Sequence, residues 1–202
     1  MDTLLIALVI VLLVAVVLVV VMSRRRKKPV APSARQDPLR FAATAPEFGP
    51  RQLGPGAIVS HGGVDYVVRG TVTLRQGPFV WWEHLLEGGA EPIWFSVEED
   101  EGRLELVMWT RRKNLTQQPG GELAVDGVAY GETERGRASY TTEGTTGLPG
   151  GGEMEFVDYA DAGETNFLGF ERWAPEMPWE VSVGRPVRPG ELTVYPAPPA
   201  TA

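Results

Sequence analysis

The sequence predicts a mainly β protein, in which a single N-terminal transmembrane helix precedes an antiparallel β-sandwich or barrel-like body. Three observations indicate this organisation. Leu4 to Met22 is an unbroken apolar run. From Gly56 onward, apolar and polar residues alternate in short segments, as they do in strands with one buried face. Glycine (24 residues) and proline (17 residues) are abundant, which favours many short strands and turns over long helices.

The apolar run matches the hydrocarbon core of a membrane in length. As a helix, Leu4 to Met22 would be roughly 28 Å long, close to the thickness of a bilayer core. A buried helix of a soluble protein is the alternative, but the run has no polar face. We therefore predict that residues 1–22 form a transmembrane anchor, which contacts the lipid bilayer through Leu4 to Met22.

Five consecutive basic residues predict the orientation of this anchor. A cleaved signal peptide carries basic charge before its apolar stretch, whereas here no Lys or Arg precedes the run. Positive charge after the run holds that flank on the cytoplasmic side. We therefore expect a single-pass protein of the cell (inner) membrane, with the N-terminus outside and the body in the cytoplasm. The five residues are Arg24, Arg25, Arg26, Lys27 and Lys28.

The rest of the chain divides into a linker, a body and a tail. Residues 23–53 are basic and rich in Pro and Ala, as flexible tethers are. Residues 54–195 carry the strand pattern, and residues 196–202 are expected to be a disordered tail. Within the body, Val125–Gly131 resembles Val64–Gly70. Two related β units in tandem, 54–112 and 120–195, are therefore an alternative to one continuous unit.

Alternation of apolar and polar residues predicts the strands of the body. Within Phe79 to Leu86, Trp81 and Glu83 fall on one face, and Trp82 and His84 fall on the other. Gly-rich turns separate such segments, and the last one is expected to close the sheet. The predicted strands cover residues 64–69, 71–75, 79–86, 93–97, 104–110, 128–132, 137–142, 153–159, 166–173, 179–183 and 192–195.

Charge and cysteine content exclude several classes of function. From Met1 to Pro46 the chain has seven basic residues against two acidic ones, whereas the remainder has 12 Lys and Arg against 24 Asp and Glu. Such an acidic body repels a phosphate backbone, so nucleic-acid binding is disfavoured. The absence of cysteine excludes disulfides, thiolate metal sites and a cysteine nucleophile.

Tryptophans and their neighbours are the candidate interaction surface. Aromatic side chains usually fill β cores, but Trp81 and Trp82 must point to opposite faces, so one of them is available to a partner or ligand. Glu171-Arg172-Trp173 has the alternative role of a cross-strand ion pair beside a core aromatic residue. The candidate residues are Trp81, Trp82, Glu83, His84, Trp94, Glu171, Arg172 and Trp173.

No constellation of residues predicts catalysis, a cofactor or a metal. Glu83 and His84 are adjacent in a strand and cannot cooperate directly. The acidic segment Glu98 to Glu101 lacks the ligand spacing and the glycine of a calcium loop, so we interpret it as a solvated hairpin turn. The segment Gly147 to Gly152 lacks the lysine and the hydroxyl residue of a phosphate-binding loop.

A resemblance to a known family rests on five segments: YVVRG at 66–70, WWEHLL at 81–86, WF at 94–95, ERW at 171–173 and WEVSVG at 179–184. With these, the body resembles the bacterial domain-of-unknown-function family 4178 over roughly Leu53 to Tyr195. His84 stands where the family pattern suggests an aromatic residue such as tyrosine. The resemblance implies no catalytic residue, because the family has no established activity. It implies a membrane-associated assembly, because similar proteins are often encoded near small membrane proteins and a polyamine-synthase-like protein.

Three hypotheses about function follow. The first is a membrane-tethered cytoplasmic interaction or scaffold module, which binds protein partners through a sheet edge or an aromatic patch. The alternative is a β-barrel that binds a small, polyamine-like cation, since acidic residues flanked by tryptophans suit a cation. The third is an enzyme of unknown class, which a deep pocket with convergent carboxylates would favour.

Overall fold

The computed structural model describes residues 48–197 of the chain. The predicted anchor at Leu4 to Met22 and the basic residues at 24–28 lie outside the described residues, as do most of the predicted linker and tail. In residues 48–197, no helix is long and apolar enough to cross a membrane. This range contains eleven strands and two short 3-10 helices, Pro50–Gln52 and Pro189–Glu191. The prediction of a mainly β body is therefore confirmed.

The strands pair with antiparallel neighbours in a single sheet. They are β1 (Ile58–His61), β2 (Val64–Gln76), β3 (Phe79–Glu87), β4 (Ile93–Asp100), β5 (Arg103–Arg111), β6 (Leu123–Val125), β7 (Val128–Gly144), β8 (Gly151–Ala160), β9 (Phe167–Arg172), β10 (Glu180–Pro186) and β11 (Leu192–Tyr195). Their order is β11-β1-β2-β3-β4-β5-β10-β9-β8-β7-β6, and β2 also pairs with β7.

The pairing of β2 with β7 closes the sheet into a ring of β2, β3, β4, β5, β10, β9, β8 and β7. The first half of β2 pairs with β1, and its second half pairs with β7. A bulge between Val68 and Gly70 separates the two halves and lets one long strand exchange its neighbours. A Cβ atom on Gly70 would lie 2.5 Å from the carbonyl oxygen of Thr145, so this crossing point requires glycine.

The structure corrects several details of the predicted strand pattern, and the segments predicted at 64–69 and 71–75 are one strand, β2. The strands predicted at 128–132 and 137–142 are one strand, β7, because an irregularity between Glu132 and Glu134 interrupts its alternation without ending it. The last segment, β11, pairs with β1 at an edge of the sheet and does not close it. The ring combines both halves of the body, since β2 to β5 form one side, β7 to β10 form the other, and the two sides meet where β5 pairs with β10 and β2 pairs with β7.

Two apolar clusters cover the outer face of the ring. One contains Val59, Phe95 and Leu106 and lies between β1 and the outward side chains of β3, β4 and β5. The other contains Tyr159 and Phe170 on β8 and β9, covered by residues of β6 and of the start of β7. Much of the outer face is therefore buried, whereas a small open sheet would leave one of its faces solvated.

A third apolar cluster fills one end of the ring's interior. Val72 of β2, Tyr140 of β7 and Trp173 after β9 are all buried there. The rings of Tyr140 and Trp173 meet edge to face, with their centroids 5.0 Å apart, a favourable aromatic geometry. This plug leaves the remainder of the interior as a cavity that is closed at one end.

Candidate functional site

The ring encloses a cavity of about 650 Å³, a size typical of small-ligand pockets. Its walls are the inward-facing, alternate residues of the strands. On β4, for example, Trp94, Ser96, Glu98 and Asp100 all line the cavity, whereas the intervening Phe95 is buried in an outer cluster.

Seven carboxyl side chains line the cavity, and the described residues contribute no Lys, Arg or His to its wall. Carboxylates gathered in one place repel each other and lose hydration, so such a wall costs stability unless protons or cations compensate. The seven are Glu83, Glu98, Asp100, Glu105, Glu134, Asp158 and Glu171.

Four of these carboxyl groups form like-charge pairs between neighbouring strands. Glu98 on β4 lies directly opposite Glu105 on β5, and Glu134 on β7 lies directly opposite Asp158 on β8. Like charges in such positions destabilise a sheet. Burial first, and then the charges of Glu105 and Glu134, raise the pKa of Glu98. Repulsion of this kind is more typical of a functional site than of a structural wall.

Glu83 and Glu171 form a pair across the interior of the ring. They lie on β3 and β9, which are not neighbours in the sheet, and both line the cavity. The two carboxyl groups share a hydrogen bond, which requires a proton on one of them. Burial raises the pKa of Glu83 to about 7, although hydrogen bonds from Glu171 and Trp81 oppose the increase. Burial and the neighbouring charge of Glu83 hold the pKa of Glu171 well above its usual value.

Asp158 lies deep in the cavity without a hydrogen-bond partner of its own. Burial, followed by the charges of Glu171, Glu134 and Glu98, raises its pKa to about 8. Its Oδ1 atom lies 3.5 Å from the point where a Cβ atom on Gly169 would stand. In the described part of the chain, no group hydrogen-bonds to this carboxyl, so it is free to contact a ligand.

Aromatic side chains form the remainder of the wall. The indole of Trp109 lies over two glycines of the ring, since a Cβ atom would stand 2.7 Å from it on Gly184 and 3.2 Å from it on Gly169. The Trp109 Nε1 atom donates a hydrogen bond to Ser96 Oγ at 2.9 Å. Trp94 lies directly opposite Trp109 on the neighbouring strand. Aromatic faces therefore stand beside the carboxyl groups.

The cavity opens at the end of the ring that carries the β2–β3 and β4–β5 turns. The lining residues at this end are exposed, and Phe79 is the most exposed large apolar residue there, at 60%. Asp100 and Glu105, beside the β4–β5 turn, add negative charge to the mouth. A cation entering from solvent would meet carboxylates first and aromatic rings beyond them.

Four of the candidate residues line the cavity, namely Trp81, Glu83, Trp94 and Glu171. Trp82 and His84 lie on the opposite face of β3, as the alternation predicted. Trp82 is half-buried against an outer cluster. His84 is buried, and its Nδ1 atom lies 2.9 Å from Thr71 Oγ1. Burial lowers the pKa of His84 to about 4, so it is a neutral core residue without a surface to offer a partner.

The other two candidates lie away from the cavity wall. The guanidinium of Arg172 lies 4.8 Å from the ring centroid of Trp179 and pairs with Glu155. Trp173 is buried in the interior plug against Tyr140. These positions agree with the alternative role considered for this segment, a cross-strand ion pair beside a core aromatic residue.

Sequence reasoning missed several residues of the site, above all Asp158, Glu134 and Trp109. It also interpreted Glu98 as part of a solvated turn, whereas β4 continues to Asp100 and directs Glu98 into the cavity. One pattern in the sequence could have indicated these residues. Carboxyl groups lie two positions apart along strands whose other face is apolar. In residues 48–197, no three acidic or histidine side chains converge on one metal position.

Comparison with known proteins finds a matching family and similar proteins for this chain. A family model described as "Domain of unknown function (DUF4178)" matches residues 54–189. The chain is 66% identical over 178 residues to an uncharacterized protein of Mycobacterium tuberculosis and to one of Mycobacterium bovis, and the match covers 86% of this chain and of each relative. No solved structure gives a significant match.

The raised pKa of Asp158 predicts how stability depends on pH. The folded state retains a proton on Asp158 up to about pH 8, whereas the unfolded state releases it near the ordinary value. Stability from this group is therefore full at low pH and is lost as the pH rises through about 8. We expect Asp158→Asn to raise the free energy of unfolding by about 1–3 kcal/mol at about pH 8, with little change at about pH 4.

Urea unfolding at the two pH values, followed by tryptophan fluorescence, measures this difference. The matched control is Glu153→Gln, which removes one carboxylate from the outer, exposed side of the same strand. An Asp158→Asn variant that is equally destabilised at both pH values would contradict the burial of an unpaired carboxyl group.

Proposed function

We propose, for a chain that belongs to the DUF4178 family, that its closed sheet binds a small organic cation with several separated positive charges, such as a polyamine. The observation that carries this proposal is a cavity of about 650 Å³ with seven carboxyl groups, several aromatic rings and, in the described residues, no basic side chain in its wall. The alternative hypothesis drawn from the sequence thus becomes the leading one.

Charge is the first support for a cation. Glu98, Glu105, Glu134 and Asp158 face one another in pairs at neighbouring strand positions, and their repulsion is relieved when positive charge enters between them. Because the cavity is partly shielded from water, each ion pair there is stronger than it would be on the surface. An anionic or neutral ligand would leave this repulsion in place.

Aromatic rings are the second support. Ammonium groups bind over the faces of tryptophan rings, and Trp81, Trp94 and Trp109 line the same cavity as the carboxyl groups. The methylene segments of a polyamine would also contact Phe156 and Phe79, which lie along the wall and at the mouth. The wall therefore offers apolar and charged contacts in alternation.

The distribution of the carboxyl groups is the third support. They are spread from Asp100 at the mouth to Glu171 in the interior, and within residues 48–197 they do not cluster tightly enough to hold one metal ion. An extended cation with separated amines satisfies such a wall better than a single compact ion does.

An enzyme is the third hypothesis, and the hydrogen-bonded pair Glu83–Glu171 is of a kind that acid–base enzymes use. Ligand binding is the better supported function, because the wall formed by the described residues offers no cationic group to stabilise a developing negative charge. Recovery of unchanged ligand from the binding experiment below would agree with ligand binding rather than with an enzymatic reaction.

The apolar run and its basic flank support the second part of the proposal, a position at the cytoplasmic side of the cell membrane. Leu4 to Met22 is long enough to span a bilayer. The edge strands β6 and β11, which end the sheet order, offer backbone groups to which protein partners could add a strand. A scaffold at the membrane is thus compatible with ligand binding in the cavity.

Removal of Leu4 to Met22 should release the protein from the membrane fraction and should reduce the set of co-purifying proteins. Cell fractionation and affinity purification of the full chain and the truncated chain measure both effects. Equal recovery of the truncated chain in the membrane fraction, after washing with salt and carbonate, would contradict the tether.

Loss of one cavity carboxylate should weaken polyamine binding. We expect spermidine to bind the full chain in detergent, and Glu98→Gln to weaken the affinity about tenfold, since an ion pair in a shielded site contributes about 1–2 kcal/mol. Isothermal titration calorimetry measures the dissociation constant.

The control is again Glu153→Gln, which changes the net charge equally on the outer face of the sheet. Equal loss of affinity in both variants would show non-specific attraction to an acidic protein. Absence of spermidine binding by the folded wild-type chain would contradict the proposed function.

A further inference from the structure

The contact between Glu83 and Glu171 requires a proton. Two ionised carboxylates only accept hydrogen bonds, so they can bond to each other only when one of them is protonated. Glu83 comes from β3 and Glu171 from β9, on different sides of the ring, and both side chains line the cavity. The empty cavity therefore holds a shared proton where the ring brings the two strands together.

The charged groups around this pair are almost all acidic. Among residues 48–197, Arg111 of β5 is the one basic group whose charge acts on Glu171, and it is already paired with Glu180 of β10. His84, next to Glu83 in sequence, is buried on the opposite face of β3. The acidic groups whose charges act on the pair or on Asp158 are Glu98 of β4, Glu134 of β7, Asp158 of β8 and Glu180 of β10, and Glu105 of β5 acts on Glu98.

Asp158 is the second proton-holding group. It lies directly opposite Glu134 on the neighbouring strand, and no group in the described residues hydrogen-bonds to it. Its pKa is raised to about 8, and that of Glu83 to about 7. Near neutral pH the empty cavity thus retains protons that the same side chains would release in water.

Resting on the proposed function, we infer that the cavity exchanges protons for its ligand: an organic cation displaces the proton shared by Glu83 and Glu171 and the proton of Asp158, which pass to solvent. The ammonium groups then supply the positive charge that the protons supplied before. The negative charge of the wall is compensated in both states, by protons without the ligand and by ammonium groups with it. The cation and the protons therefore compete for the same carboxyl oxygens.

Competition of this kind fixes the sign of the pH dependence. A ligand that binds the ionised wall must expel protons at any pH below the raised pKa values, so its affinity increases with pH by about tenfold per pH unit for each proton released. The increase continues up to the raised pKa of Asp158, about 8, and ends once the carboxyl groups of the unliganded wall are ionised. A fall in pH would therefore release the organic cation from the cavity.

Calorimetry in two buffers tests the exchange. Spermidine is titrated into the full chain in detergent at about pH 7, in phosphate and in Tris, which differ in their heats of protonation. Alkyl amines remain protonated throughout this range, so any released proton comes from the protein. We expect the observed heats to differ by the equivalent of one to two released protons. We also expect affinity about tenfold or more weaker at about pH 6 than at about pH 7.

Glu83→Gln removes the shared proton but keeps a hydrogen-bonding side chain. In this variant we expect measurable spermidine binding, about one proton fewer released and a flatter pH profile, whereas Glu153→Gln should match the wild type. Thermal unfolding confirms that each variant is folded.

Two negative outcomes have different meanings. Spermidine binding with equal heats in both buffers and with no pH dependence would overturn proton exchange and leave cation binding intact. Absence of binding by the folded wild-type chain, even at about pH 8 where Asp158 is half ionised, would overturn the proposed function and the exchange with it.

Discussion

The pairing of β2 with β7 is the interaction on which the site depends. Without it the sheet would be an open ribbon, and Glu83 on β3 and Glu171 on β9 would face solvent instead of each other. Closure depends in turn on Gly70, whose missing side chain lets β2 pass the backbone at Thr145. One bulge and one glycine thus convert a set of ordinary hairpins into a ring with an interior.

An interior so formed is usually filled with apolar side chains, and here only one end is. The plug around Tyr140 and Trp173 and the two outer clusters supply the apolar burial that stabilises the domain. They allow the remaining wall to carry carboxyl groups that oppose folding when ionised. The carboxyl wall therefore lowers the stability of the domain, and the cation that we propose would restore it by supplying positive charge.

Local pattern predicted the strands well, because alternation is a property of a few neighbouring residues. It assigned Trp81 and Glu83 to one face of β3 and His84 to the other, as observed. It could not predict which face points into a cavity, since that depends on closure between β2 and β7, more than sixty residues apart in the sequence. Local pattern therefore predicts a solvated position for Glu98. It gives no reason to assign Asp158, in a strand otherwise rich in apolar residues, to a site.

The most direct test of cation binding in the ring is a crystal structure of the protein grown with spermidine. We expect elongated density inside the ring, with an amine nitrogen about 3 Å from the Asp158 carboxyl oxygens and another beside the Trp109 indole. Density for spermidine on the outer face alone, or a cavity that holds only water at saturating ligand, would contradict it.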